Sequence, residues 1–184
     1  MTDIILISAL RDETQDLFDD LLPVVYSGVG KVNAALAAAQ AIQEHKPRLV
    51  INFGTAGSHK VPPHTLLDCN KFIQRDMHVK ELGFDFAVTP FEEGVPTVLE
   101  FASSGGRNLT CGTGDNFVAS SDDLQCDVVD MEAYAIAKAC YLNNVDFVSY
   151  KYITDGAGEN AAAQWQANCK KGAAKFLDVL RELM

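Results

Sequence analysis

Short apolar runs alternate along this chain with longer stretches of helical character, and that alternation sets the expected architecture. "DIILIS" (3–8) is almost continuously apolar, as a strand buried on both faces is. "DETQDLFDDLL" (12–22) reads as a short acidic helix stopped by Pro23, and "VVYSGVG" (24–30) as a strand running into a glycine turn. "KVNAALAAAQAIQEH" (31–45) is an alanine-rich helix that ends near Pro47. "RLVINFG" (48–54) is a third buried strand, followed by a small-residue loop, "TAGS".

The middle of the chain, 58–107, has the weakest pattern, with strand expected in "TLLDCNKFIQRD" and an aromatic-bearing loop in "VKELGFDFAVTPFEEGVP". "NLTCGTGDNFVAS" (108–120) reads as a strand followed by another glycine loop. "CDVVDM" (126–131) and "VDFVSYKYITD" (145–155) are the last strands, and 159–183 reads as one long helix with Trp165, Ala173, Phe176, Leu177, Val179 and Leu180 approximating one face. The expected fold is α/β: a three-layer α/β/α sandwich with a central mixed sheet, its strands mostly parallel. In such sheets ligands gather where strands run out into loops.

Between the last two strands, Ala133–Leu142 is apolar almost all round, broken by Lys138, as a buried helix would be. It begins beside Glu132. Burying an unpartnered ionised carboxylate costs on the order of several kcal/mol or forces it to take a proton. Either Glu132 complements the helix dipole, or something polar is meant to meet it there.

Composition narrows the partners. The 184 residues suit one domain, 1–184, and the formal charge of −10 is not offset by any local Lys/Arg cluster. That argues against nucleic acid and anionic membranes, and disfavours highly charged phosphate esters. Five cysteines, with no C-x-x-C and no histidine at metal-ligand spacing, fit reduced thiols in a cytoplasmic protein rather than a metal site. "MTDIILISAL" has no basic segment, which argues against a signal peptide, and no apolar run approaches the roughly 20 residues of a membrane span.

Polar and small residues cluster at the strand exits: "ALRDE", "GVGKVN", "GTAGS", "GTGDNF", "DME" and "ITDGAGEN". Each alone is bland. A glycine turn before a helix is often only a tight connection, "GVGKVN" misses the dinucleotide fingerprint, and acidic helix starts usually serve the dipole. Their collection at one end of the sheet is the stronger signal.

Taken together and in order, "GVGKVNAALAAAQAI", "VINFGTAGS", "GTGDNFV", "VDMEAYAIA" and "ITDGAGENAAAQW" resemble the purine nucleoside phosphorylase superfamily. The nearest likeness is to its hydrolytic branch, the 5′-methylthioadenosine/S-adenosylhomocysteine nucleosidases. The resemblance runs from Ile4 to the C-terminus. It implies that Glu132 accepts hydrogen bonds from the ribose 2′- and 3′-hydroxyls, with Met131 packed on the sugar. It implies that Asp155 is the acid at N7 of the leaving purine and Glu13 the base that takes a proton from water. Thr55 occupies the small hydroxyl position near the water or phosphate site, and Phe117 stacks on the base. Trp165 falls where the family usually has a phenylalanine closing the 5′ pocket. Ordinary core packing is the alternative role for both aromatics. The implied substrate is a purine nucleoside, the implied assembly a homodimer, and no metal or organic cofactor is implied.

The chain also departs from the family pattern. It is about forty residues shorter than is typical for the family. The usual β-hairpin before "VVYSG" is missing, the helix before "NLTCG" is reduced to "PTVLEFASSGG", and Tyr134 replaces a small residue. "FDFAVTPFEEGVP" (84–96) is left to wall the 5′ pocket, across a dimer interface as in the family. Two other functions compete. A phosphorylase would bind phosphate through basic side chains such as Arg11 and Lys31, and a trimmed pocket also suits a non-catalytic nucleoside-binding module. Glu13 favours hydrolysis over the first, and retention of Glu13, Glu132 and Asp155 together speaks against the second.

Overall fold

The structure, a computed structural model, describes residues 3–103, 105, 108–118 and 125–184. At its centre β1 (Ile4–Ser8) lies between β2 (Val24–Tyr26) and β3 (Leu49–Gly57), parallel to both. Along its whole length β3 also pairs in parallel with β9 (Asp146–Asp155), whose other edge carries the antiparallel β4 (Leu66–Cys69). At its far end β3 meets β8 (Val128–Asp130) antiparallel, Gly57 opposite Val129. From there the sheet continues through β7 (Thr110–Thr113) and β5 (Lys71–Gln74), both parallel, to the short antiparallel β6 (Leu99–Glu100). The sheet is therefore mixed, as expected. Two-residue side-chain periodicity sends alternate residues to opposite faces. Ile5, Ile7 and Val50 meet α2 (Lys31–His45) and α3 (Ala133–Asn143), whereas Leu6, Ile51 and Phe53 meet Phe18 and α5 (Ala173–Leu183). This is the expected α/β/α layering.

Three expected elements differ. The acidic helix is a single turn, α1 (Arg11–Thr14), because Gln15 and Asp16 both take left-handed φ values (52° and 56°), which an α-helix cannot continue through. Arg11 closes the following turns on Asp16 and Asp19. "TAG" is not loop: β3 extends through Gly57 because β9 keeps pairing with it, and a register shift at Ala56/Gly57 then sets Gly57 opposite Asp155. The C-terminal helix is broken into α4 (Ala161–Asn168), a 3-10 turn at Cys169–Lys171, and α5. The break lies where Gly172 presses on Tyr152: a Cβ there would be 2.6 Å from Tyr152 Cγ. It frees α4 to sit over the end of β9, held by Asn168 Nδ2 donating to the Thr154 carbonyl at 2.8 Å.

In 96–106 the structure shows β6 rather than a remnant helix, with Ser104 and Gly106 outside the described residues. The end of the "GTGDNFVAS" loop, 119–120, also lies outside them. No helix among the described residues is long and apolar enough to cross a membrane.

Candidate active site

The sequence V-D-M-E ends β8 and starts α3, and its two carboxylates divide the work. Asp130 Oδ2 accepts the N–H groups of Ala133 (2.7 Å) and Glu132 (3.2 Å), so Asp130 satisfies the orphan donors of the helix start. It is fully buried and paired with the equally buried Lys151, Nζ to Oδ2 2.8 Å. That pairing holds the Asp130 carboxyl below its usual range despite burial. Thr113 Oγ1 donates to Asp130 Oδ1 and accepts the Tyr134 N–H at 2.8 Å, tying β7 to the same centre. Tyr134 itself is core.

Glu132 is thereby released from capping. Its Oε1 turns instead to the Gly30 N–H at 2.9 Å, a contact across the site to the "GVGK" turn. Gly30 has φ 96°, a conformation that favours glycine, and this presents the N–H inward. Burial, and then the neighbouring charge of Asp130, push the Glu132 carboxyl up to about 8.

Glu13 comes from α1, yet it is held by the exits of two strands, β1 and β3. Thr55 contributes its N–H (2.8 Å) and hydroxyl (2.7 Å) to Oε1, while Leu10 N–H (3.1 Å) and Ser8 Oγ (3.2 Å) donate to Oε2. An ionised carboxylate has about four lone-pair positions, so protein donors occupy its full set. Trp165 Nε1 donates to Thr55 Oγ1 at 3.0 Å, extending the chain of bonds to α4.

Asp155 ends β9. Ala157 N–H donates to Oδ1 at 2.9 Å, and Thr154 Oγ1 lies 2.7 Å from Oδ2. Thr154 Oγ1 is also 3.3 Å from the Ala56 carbonyl. Its one proton can serve an ionised Asp155, or turn to Ala56 and leave the oxygen to accept from a protonated Asp155. Gly57 makes room for this carboxyl, since a Cβ there would be 2.5 Å from Oδ1.

All seven residues singled out from the sequence (Glu13, Thr55, Phe117, Met131, Glu132, Asp155 and Trp165) line one cavity of about 340 Å³. Phe117 and Trp165 are not core: Phe117 is 47% exposed at the cavity, and Trp165 is hydrogen-bonded at its wall. Asp130 and Arg75 also line it and were not anticipated. Arg75 donates to the Asn116 side chain (2.9 Å) and to the Asn116 carbonyl, bracing the turn that carries Phe117. Lys31 binds Asp76, whose other oxygen accepts the Asp115 N–H, while Asp115 accepts the Lys31 N–H. This ring ties the glycine turn beneath Glu132 to the Phe117 loop. Segment 84–96 does not line the cavity of its own chain; Phe86 and Ala87 pack behind it with Val118 and Val129, and Phe91 is 84% exposed. The described residues contain no group of three or more His, Cys, Asp or Glu arranged to hold a metal ion.

The chain is 28% identical to a 5′-methylthioadenosine/S-adenosylhomocysteine nucleosidase of Staphylococcus aureus (strain MRSA252), over 91% of this chain and 83% of that protein. In fold it is similar to a mutant of the Helicobacter pylori nucleosidase solved with 5′-methylthioadenosine in the active site (TM-score 0.88, 20% identity, all of both chains). A futalosine hydrolase mutant from Helicobacter pylori strain 26695 gives the same TM-score, identity and coverage. The Neisseria meningitidis nucleosidase in complex with methylthio-immucillin-A gives 0.82 at 23% identity, over 95% of this chain and 94% of that one. The model of the phosphorylase superfamily matches residues 21–184, and the chain belongs to that superfamily.

Proposed function

We propose that this protein hydrolyses the N-glycosidic bond of a purine nucleoside, 5′-methylthioadenosine, S-adenosylhomocysteine or a related 5′-modified adenosine, to free base and sugar. The observation that carries this reading is the charge of the cavity. Its lining sets the carboxyl groups of Glu13, Glu132 and Asp155 around one space, with Asp130 behind them neutralised by Lys151, and its one cation, Arg75, is committed to the Asn116 turn. Such a surface suits a neutral nucleoside and the oxocarbenium-like sugar formed as its bond to the base breaks. It offers a phosphate dianion no uncommitted cation.

The basic side chains that a phosphorylase would use are engaged elsewhere: Arg11 with Asp16 and Asp19, Lys31 with Asp76. The relatives named as nucleosidases support the same choice.

In this reading Glu132 accepts the 2′- and 3′-hydroxyls, Met131 packs on the sugar and Phe117 stacks on the base. Asp155 gives a proton to N7 as the bond between C1′ and N9 breaks and its electron pair passes to the purine. Water adds its oxygen to C1′, and its released proton passes to Glu13. Two of the four donors on Glu13 are hydroxyls, Ser8 and Thr55, and two are backbone N–H groups. Ser8, at 3.2 Å, is the longest of these bonds and is fully buried behind the cavity, whose wall on this side is Leu10 and Thr55. These groups are all side chains, so the reading needs no metal or organic cofactor.

The assembly we read as a cytoplasmic homodimer. Val29, at the cavity, and Val32 and Leu36, one helical turn apart on α2, are exposed apolar residues on one side of the site. In this reading a second copy covers them, and its exposed Phe91 segment is the candidate wall for the 5′ group.

The deciding experiment is product analysis on methylthioadenosine, adenosylhomocysteine, adenosine, inosine and deoxyadenosine, each with and without phosphate. Free base and free sugar, indifferent to phosphate, are expected. A phosphate requirement with sugar 1-phosphate as product would replace this reading with a phosphorylase, and binding without release would replace it with a binding module.

A further inference from the structure

We infer that Trp165 is a positioning residue for Glu13, acting through the Thr55 hydroxyl rather than only walling the pocket; the inference rests on the hydrolytic reading above. A threonine hydroxyl has one proton and two lone pairs. Trp165 Nε1 is a pure donor and lies 3.0 Å from Thr55 Oγ1, so that oxygen must accept. The remaining acceptor within reach of the Thr55 proton is Glu13 Oε1, at 2.7 Å. The indole therefore narrows the direction of the hydroxyl: it takes one lone pair, and of the two positions left, the one toward Glu13 is where the proton finds an acceptor.

The consequence is an asymmetric carboxylate. Oε1 is held by the Thr55 N–H and by a hydroxyl whose rotation the indole restricts. Oε2 is held by the Leu10 N–H and by Ser8, a hydroxyl at 3.2 Å with no indole behind it. A phenylalanine at 165 fills much of the same wall but has no N–H, so it leaves the Thr55 hydroxyl free to rotate and Glu13 held in less defined geometry.

The sequence contains a single tryptophan, which gives this arrangement its own optical probe. The test compares wild type, Trp165→Phe, Thr55→Val and the double variant in steady-state base release from methylthioadenosine. Trp165→Phe is expected to lower kcat about three- to tenfold, the scale of one neutral hydrogen bond, with KM within about twofold. In the Thr55→Val background the same change is expected to cost less than about twofold, because the hydroxyl it acts through is gone. Thr55→Val, with its secondary structure checked by circular dichroism, is expected to shift the emission of Trp165 as the indole loses its acceptor.

Three results would overturn the inference alone while the wild-type protein remains active. These are wild-type kinetics in Trp165→Phe, a loss confined to KM, and a full, multiplicative loss in the double variant. No base release by the wild-type protein would overturn the hydrolytic reading, and this inference with it.

Discussion

Asp130 and Glu132, two residues apart, serve opposite ends of the same helix start. Asp130 turns inward, caps α3 and pairs with Lys151, while Glu132 faces the cavity and takes the Gly30 N–H from a turn 102 positions away in sequence. Because Asp130 already satisfies the helix donors, Glu132 has no structural debt to α3, and its burial is explained by what it meets in the cavity. Asp130 also raises the cost of ionising Glu132, so the pair places a proton-holding carboxyl at the sugar site.

A pH dependence follows. The Glu132 carboxyl titrates at about 8 in the folded protein against an ordinary 4.5, so the folded chain binds this proton more tightly than the unfolded chain. Its contribution to stability is full below about pH 4.5 and is lost as pH rises through about 8. Glu132→Gln carries no such proton. The unfolding midpoint of wild type is expected to fall relative to that of Glu132→Gln between these limits, with the gap level above them. Parallel curves from thermal melts across the range would show that Glu132 is ionised throughout.

Removing Lys151 strands a charge. Asp130 is buried at the junction of β7, β8 and α3, and Lys151→Met leaves its carboxylate without a counter-ion while keeping most of the side-chain volume. Breaking a buried pair from one side typically costs about 3–5 kcal/mol. Denaturant titration should show a loss of that size, and Asp130→Asn added to Lys151→Met should recover part of it. A loss under about 1 kcal/mol would mean that water reaches the pair.

Gly57→Ala tests the placement of Asp155. The new methyl would sit 2.5 Å from Asp155 Oδ1, and 3.3 Å from both Ala157 Cβ and Val129 Cγ2, so Asp155 must move. Misplacing a reacting group by about 1 Å can cost on the order of 10²-fold in rate. A fall of that order in kcat is expected, with nucleoside binding, read from Trp165 emission, reduced far less. Wild-type kcat would place the acid elsewhere.

Most of this was legible where local pattern and tertiary role agree. The helix over 31–45 falls on the residues its alanine-rich periodicity marked, and the strand exits carry the cavity. What stayed hidden was set by long-range partners. Nothing local marks Lys151, mid-strand in "SYKY", as the counter-ion of Asp130, or Arg75 as the brace of the Phe117 loop. The break before α5 depends on how closely Gly172 approaches Tyr152, and the extension of β3 through "TAG" on pairing with a strand about a hundred residues later. Trp165 shows the same limit from the other side: its place among apolar residues suggested packing, and only the fold reveals its N–H on Thr55.

Asp155→Asn separates chemistry from recognition. The substitution keeps the shape, and the side-chain oxygen can still accept the Ala157 N–H that Oδ1 accepts now. It removes the proton that a carboxyl group can pass to N7. General acid catalysis typically contributes about 10²–10⁴-fold, so kcat is expected to fall within that range. Binding should persist, because the ribose anchor Glu132 and the Phe117 loop are held by other residues: Gly30 for the first, Arg75 for the second. Titration of Trp165 emission with methylthioadenosine in Asp155→Asn measures that binding without turnover. An unchanged rate would remove Asp155 from the role of acid. A lost rate with lost binding would make it a recognition group for the base, and catalysis of base departure would then rest on the sugar side, on Glu13 and Glu132.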